Sequence, residues 1–207
     1  MTLAIKICGL TGVGDASAAL AAGADFLGFV LYPKSPRFVT AARLRHIVAA
    51  LPASARVVGV FVNTPAADVA RTARACRLAA VQVHGDEAAA DFSRYPVPVW
   101  RAVHLSGTRF EPDPAAWAAA RYVIDAAAAP GQYGGTGTRA DWSRAAAFAG
   151  QWPSMLAGGL TPENVAEAIR QVRPLGVDVT SGVEARPGRK DPEQVRRFIT
   201  AARAAAH

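Results

Sequence analysis

The chain has 207 residues, 51% of them hydrophobic and 19% charged, with a formal net charge of +7. That length and balance fit one globular domain spanning residues 1–207, large enough for a sizeable core, and exclude a disordered chain. The positive charge is almost all arginine scattered through helix-like segments, with no basic run interleaved with aromatics, so nucleic-acid binding is not expected. Charged residues or prolines interrupt every apolar stretch before it reaches membrane-spanning length.

The opening, Met1 to Cys8, lacks a basic leader followed by a long apolar region. It reads as a first strand, Leu3–Cys8, rather than a signal peptide, and the expected location is cytoplasmic. Further apolar, β-type runs follow at Phe26–Leu31, Val57–Val62, Ala80–His84, Val97–Val103, Tyr122–Asp125, Ser154–Ala157 and Val177–Ser181. Each is short and nearly continuous in apolar character, as parallel strands buried on both faces are. Ala-rich helical stretches alternate with them. Thr40 precedes Ala41–Leu51, Pro65 opens Pro65–Cys76, and Thr161-Pro162-Glu163 places a cap, a first-turn proline and an acid before Val165–Val172. Asp191-Pro192-Glu193 does the same for a last helix running to about Arg203.

Eight β-then-helix units without a long polar linker predict an α/β fold of one kind, a closed (β/α)8 TIM barrel. At this length it is a minimal version, since about 250 residues is typical. The weakest unit lies between Val103 and Tyr122, where Pro112 and Pro114 allow only a short or irregular fifth helix.

Barrel chemistry sits at the C-terminal ends of strands and in the loops after them, which selects a short set of residues. Strand one ends in Cys8-Gly9; a cysteine there is either a nucleophile or general base, or a buried small hydrophobe. Cys76, in a helical pattern, reads as a packing residue, and both thiols are expected to be free. After strand two, Pro33-Lys34-Ser35-Pro36-Arg37 forms a stiffened loop whose Arg37 either holds a carboxylate in bidentate fashion or is solvated. His84, in Gln82-Val83-His84-Gly85, is either a substrate contact or a satisfied strand-end imidazole. Asp125 closes Val123-Ile124-Asp125, a costly place for a carboxylate unless it is paired or functional, with a loop cap as the alternative.

Three glycine turns follow towards the C-terminus: Gly134-Gly135-Thr136-Gly137, Gly158-Gly159 and Ser181-Gly182. Glycines at the ends of the last strands let backbone N–H groups close around an anion, so a phosphorylated small molecule is the expected substrate. They do not form a nucleotide triphosphate loop of the G-x-x-x-x-G-K-[ST] kind. No His, Cys, Asp and Glu cluster has metal-ligand spacing, and no metal is expected.

Taken together these segments resemble the phosphoribosylanthranilate isomerase family of tryptophan biosynthesis. The resemblance is collinear over nearly the whole chain. It is carried by Lys6-Ile7-Cys8-Gly9, Ser35-Pro36-Arg37, Val58-Gly59-Val60-Phe61-Val62-Asn63, Gln82-Val83-His84-Gly85 and Gly134-Gly135-Thr136-Gly137. It continues through Leu156 to Val165, Asp178 to Glu184, and Pro187-Gly188 with Lys190-Asp191. It implies an Amadori rearrangement of an aminoaldose phosphate to an aminoketose phosphate, without metal or cofactor. It also implies Cys8 as general base, Asp125 as general acid and Arg37 on the anthranilate carboxylate. The phosphate is implied on N–H groups around Gly158, Gly159, Ser181 and Gly182, with Gly135 and Gly137 shaping the neighbouring loop. His84 and Asp178 are further implied contacts. Ala140 stands before Asp141-Trp142 where the family usually has an aromatic, and Thr180 where a serine is common.

A related sugar-phosphate isomerase or synthase on the same barrel is the nearest rival, and a binding module that has lost activity is another. Cys8 at strand one weighs against the first, and the joint presence of Cys8 and Asp125 against the second. Monomer and homodimer both suit a barrel this small.

Overall fold

The computed structural model describes residues 3–106, 109–125 and 141–206. Eight barrel strands occur in chain order. They are β1 (Ala4–Ile7), β2 (Phe26–Val30), β3 (Val57–Phe61), β4 (Ala80–Val83), β5 (Val99–Ser106), β6 (Arg121–Asp125), β7 (Ser154–Leu156) and β8 (Gly176–Val179). Each pairs in parallel with the next, and β8 returns to β1 with Lys6 opposite Asp178, so the barrel closes and leaves no edge. Among the described residues six α-helices pack outside: α1 (Val13–Ala21), α2 (Ala41–Ala49), α3 (Ala66–Ala75), α4 (Trp142–Ala149), α5 (Val165–Val172) and α6 (Pro192–Ala205).

Local chemistry sets the helix starts. Thr40 Oγ1 accepts from Arg43 N–H at 3.1 Å, and Asp191 Oδ1 accepts from Glu193 and Gln194 N–H at 2.8 and 3.2 Å with Pro192 in the first turn. The third cap differs from expectation. Val165 N–H donates to Thr161 O at 3.1 Å, so a turn begins at Thr161, but regular helix starts only at Val165, after Asn164.

The fifth unit is irregular, as its prolines require. Strand β5 runs on past the barrel to Ser106 and pairs in antiparallel fashion with Arg109–Glu111, and a 3-10 turn at Pro114–Ala116 follows. The Tyr122 hydroxyl donates to Pro114 O at 2.8 Å, tying that turn to β6. The fourth unit departs from the expected alternation. Between β4 and β5 the described chain forms only a 3-10 turn, Ala89–Phe92. Pro96 and Pro98 remove donors beyond it, and the Glu87 carboxylate spends itself on Asn63 N–H and Gly85 N–H at 2.7 and 2.8 Å and on buried Arg101.

Strand alternation divides the core in two. Outward residues such as Ile5, Ile7, Leu27, Val81 and Ile124 pack under the helices. Inward residues Phe26, Val58, Ala80, Trp100, Val123 and Met155 fill the barrel's lower half. Phe26 and Trp100 meet edge to face at 4.9 Å, and Arg56 and Arg121 cover them, with Arg56 4.0 Å from the Phe26 ring centre and Arg121 5.2 Å from that of Trp100. The bottom is a plug.

Candidate active site

The same period of two carries polar residues inward on the upper half. Lys6 on β1 shares parity with Cys8 just past its end, Gln82 on β4 with His84, and Asp178 on β8 with Thr180. Asp125 lies two residues beyond inward Val123 on β6. All of these but the fully buried Lys6 line a cavity of about 560 Å³ that takes in Cys8, Arg37, His84, Asp125 and Asp178 together with Gly158, Gly159, Ser181 and Gly182. That size suits a small metabolite. A larger hollow of about 660 Å³ lies outside the barrel between Arg109–Glu111 and α4, and it contains none of these residues. The inner cavity is the candidate site because the titratable groups converge there.

Beneath Cys8 sits a fully buried lysine. Lys6 Nζ donates to Asp178 Oδ2 at 2.7 Å and to Gln82 Oε1 at 3.0 Å. Burial opposes the Lys6 charge, but Asp178 and Cys8 outweigh it, and the pKa stands above the ordinary lysine value. Gly28 on the neighbouring strand makes room, since a Cβ there would lie 2.7 Å from Cys8 Sγ and 2.9 Å from Lys6 Cε. Asp178 Oδ1 is buried and receives no hydrogen bond among the described residues, which leaves an acceptor in the wall of the cavity.

The chain of contacts continues across the floor. A Lys6 ammonium only donates, so Gln82 accepts through Oε1 and presents its amide N–H to His84 Nδ1 at 3.5 Å. Nε2 of His84 then carries the proton and faces Asp125 Oδ2 at 3.6 Å. Burial, helped by Arg101, Lys6 and His104, pushes the His84 pKa down to about 3, so the imidazole is neutral and this contact is not an ion pair.

Arg37 is nearly buried. Its Nε and Nη2 donate to Glu184 Oε1 and Oε2 at 2.8 and 2.7 Å, a bidentate pair that raises its pKa. The solvated reading of Arg37 is therefore excluded, and the carboxylate it holds here is the chain's own. Positive φ at Gly158 (75°) and Gly159 (64°) turns the chain sharply after β7. Asn164 fixes that turn by donating to Gly159 O at 2.9 Å and accepting from Thr161 N–H at 2.8 Å. Ser181–Val183 forms a 3-10 turn after β8, and Gly182 packs so closely on Leu160 O that no side chain would fit. The two glycine turns are thus neighbours at one end of the cavity.

Of the expected site residues, Cys8, Arg37, His84, Asp125, Asp178, Gly158, Gly159, Ser181 and Gly182 come together. Gly135, Gly137 and Ala140 lie outside the described residues. Both cysteines are free, and Cys76 is buried in the outer core as a packing residue. Among the described residues no cluster of three or more His, Cys, Asp or Glu has metal-binding geometry, and no helix is long and apolar enough to cross a membrane. Lys6, Gln82 and Glu184 were not singled out from the sequence, although a lysine inside an apolar strand is a signal in itself.

Comparison with known proteins gives one answer. The profile of the N-(5′-phosphoribosyl)anthranilate (PRA) isomerase family matches residues 5–201. The N-(5′-phosphoribosyl)anthranilate isomerase of Citrifermentans bemidjiense is 46% identical over 199 residues, covering 96% of each chain. The phosphoribosyl anthranilate isomerase structure from Thermotoga maritima superposes with a TM-score of 0.87 at 37% identity, over 98% of this chain and 100% of that one. A further solved isomerase, in complex with reduced 1-(o-carboxyphenylamino)-1-deoxyribulose 5-phosphate, gives 0.83 at 35% identity over 98% of this chain and 100% of that one. With most of its length matched on both counts, the chain belongs to the N-(5′-phosphoribosyl)anthranilate isomerase family.

Proposed function

We propose that the protein converts N-(5′-phosphoribosyl)anthranilate to 1-(o-carboxyphenylamino)-1-deoxyribulose 5-phosphate, with Cys8 as general base and Asp125 as general acid. The observation that carries this reading is the convergence, on one cavity, of a thiol, a carboxyl, an arginine and two adjacent glycine turns. A structural neighbour holding the reduced form of that product in the same fold supports it. The reaction is taken to belong to tryptophan biosynthesis in the cytoplasm, in a one-domain enzyme acting as monomer or homodimer.

The substrate has two anionic groups, and the cavity wall carries an arginine and two glycine turns to receive them. The phosphate is placed on the N–H groups of the Gly158-Gly159 and Ser181-Gly182 turns, and the anthranilate carboxylate on Arg37. Between them the ribose lies over the polar floor. Asp125, protonated, gives its proton to the ring oxygen as the ring opens to a Schiff base. That imine acidifies the proton on C2′, and the Cys8 thiolate removes it to leave an enolamine, which tautomerises to the ketone. The nearby Lys6 ammonium attracts negative charge on the sulfur; the same attraction contributes to its own raised pKa. Asp178, a cavity-wall residue whose buried Oδ1 has no hydrogen-bond partner among the described residues, is assigned a hydrogen bond from a substrate N–H or O–H. His84 holds its Nε2 proton towards Asp125 and orients that carboxyl. Each proton transfer of this kind is worth ~10²–10⁴-fold in rate.

The test is consumption of N-(5′-phosphoribosyl)anthranilate, generated in situ, by the purified protein, followed by the loss of its fluorescence. Catalytic turnover is the expected result; a folded protein that leaves the compound unchanged overturns the proposal.

A further inference from the structure

Glu184 poses a problem for the binding of an anion. Its carboxylate, with a side chain only 4% exposed, lies against the arginine that is meant to attract a carboxylate. Alone, the pair would be neutral and would attract nothing. A third group changes the balance. Lys190, equally buried, donates to Glu184 Oε1 at 3.0 Å and to the carbonyl of Thr180 at 2.8 Å. Two cations and one carboxylate leave one positive charge, and Arg37 is the member of the three that lines the cavity.

We propose that Glu184 and Lys190 are positioning residues: Glu184 pins the Arg37 fork in its receiving orientation, and Lys190 restores the charge that Glu184 would cancel. The inference rests on the isomerase reading and assigns parts to two residues that do not line the cavity.

The geometry supports both roles. Glu184 occupies Nε and one N–H of Nη2, so three of the five guanidinium N–H groups remain for a ligand. Nη1 has no acceptor among the described residues. A free arginine loses much rotamer freedom on binding, and one held in advance does not lose it again. Gly9 clears the space, because a Cβ there would stand 2.6 Å from Arg37 Cδ. Lys190 is itself anchored, its N–H donating to Asp15 Oδ2 at 2.9 Å. It also donates to the carbonyl of Thr180, the residue before the Ser181-Gly182 turn, so one buried cluster braces both Arg37 and that turn. Burial works against the acid, yet Arg37 and Lys190 keep Glu184 below the usual carboxylate range, which keeps it ionised at neutral pH.

Steady-state kinetics on N-(5′-phosphoribosyl)anthranilate test this with Glu184→Gln, Arg37→Ala and the two combined. Glu184→Gln is expected to raise KM about tenfold with kcat within about threefold, as when a binding group is misplaced and the chemistry is not. Combined with Arg37→Ala it should add less than about twofold to the KM of Arg37→Ala alone, because its effect passes through Arg37. Two buried cations left without their acid can impair folding, so Glu184→Gln/Lys190→Met, which restores the original net charge, is measured as well. It should fold and keep the raised KM. Full multiplication of the two effects, an unchanged KM in Glu184→Gln, or a wild-type KM in the charge-balanced variant would overturn the inference. Wild-type turnover is established first: its absence refutes the isomerase reading, whereas turnover with any of those three results refutes only the positioning role.

Discussion

The two halves of the barrel interior are built by the same strands and filled in opposite ways. Below, Phe26, Trp100, Val58 and Met155 form a dry plug sealed by Arg56 and Arg121 stacked on its rings. Above, often only two residues further along the same strand, come Lys6, Gln82, His84, Asp125 and Asp178, joined by contacts from β8 to β6. The lower half holds the strands in place by apolar burial, and the upper half spends stability on charges and an unfilled acceptor. The comparison teaches that the floor makes the site possible. Charges placed above an apolar plug act in a low dielectric, where each interaction is stronger and each unpaired group more costly.

Breaking the halves separately should give opposite signatures. In the upper half, Cys8→Ala and Asp125→Asn are each expected to lower kcat by ~10²–10⁴-fold with KM and thermal midpoint little changed. Near-native turnover in either would remove that residue from the mechanism. Trp100→Ala, in the plug, should cost ~3–5 kcal/mol in urea unfolding while the enzyme that remains folded keeps most of its kcat. Lys6→Met breaks a buried pair and should destabilise by about 3–5 kcal/mol. Lys6→Met/Asp178→Leu should recover much of that stability but not the turnover; recovery of both would show the pair to be purely structural. Arg37→Ala should raise KM about 10–100-fold with a smaller change in kcat, the range expected for a charge-assisted hydrogen bond lost from the substrate.

The last effect is on acid stability. His84 has a native pKa near 3 against about 6.5 unfolded. The unfolded chain therefore binds more protons in that window, and stability falls as pH drops from about 6.5 to 3. Glu184, held below its ordinary value, acts in the same direction at the lower end, because its contribution is present above its unfolded pKa and lost as pH falls through the native one. His84→Gln should flatten the slope of unfolding free energy between pH 6 and about 4. An unchanged slope would mean that His84 does not remain neutral in the fold.

Much of this was legible in the chain. Short apolar runs ending in Cys8, His84 and Asp125 pointed to parallel strands, and the structure brings those strand ends and the Gly158-Gly159 and Ser181-Gly182 turns to one cavity. The Lys6–Asp178 pair was not. The two residues are 172 positions apart and become neighbours only when β1 closes on β8, so no local pattern pairs them. The missing fourth helix was hidden for a related reason. Ala88-Ala89-Ala90 has helical propensity, but Glu87 is tied to Asn63 and Arg101, and that long-range anchoring wins over propensity. Arg37 read as open to solvent or to a ligand because its partner Glu184 lies 147 residues away.

The central claim is that two groups on the polar floor work in opposite protonation states. The pH dependence of kcat/KM tests it most directly, measured on the wild type, Cys8→Ala and Asp125→Asn. The account predicts a bell for the wild type. The acid limb, where the thiol must ionise, should vanish in Cys8→Ala, and the alkaline limb, where the carboxyl must keep its proton, should vanish in Asp125→Asn. A flat wild-type profile from about pH 6 to 9, or both limbs surviving in both variants, would contradict it.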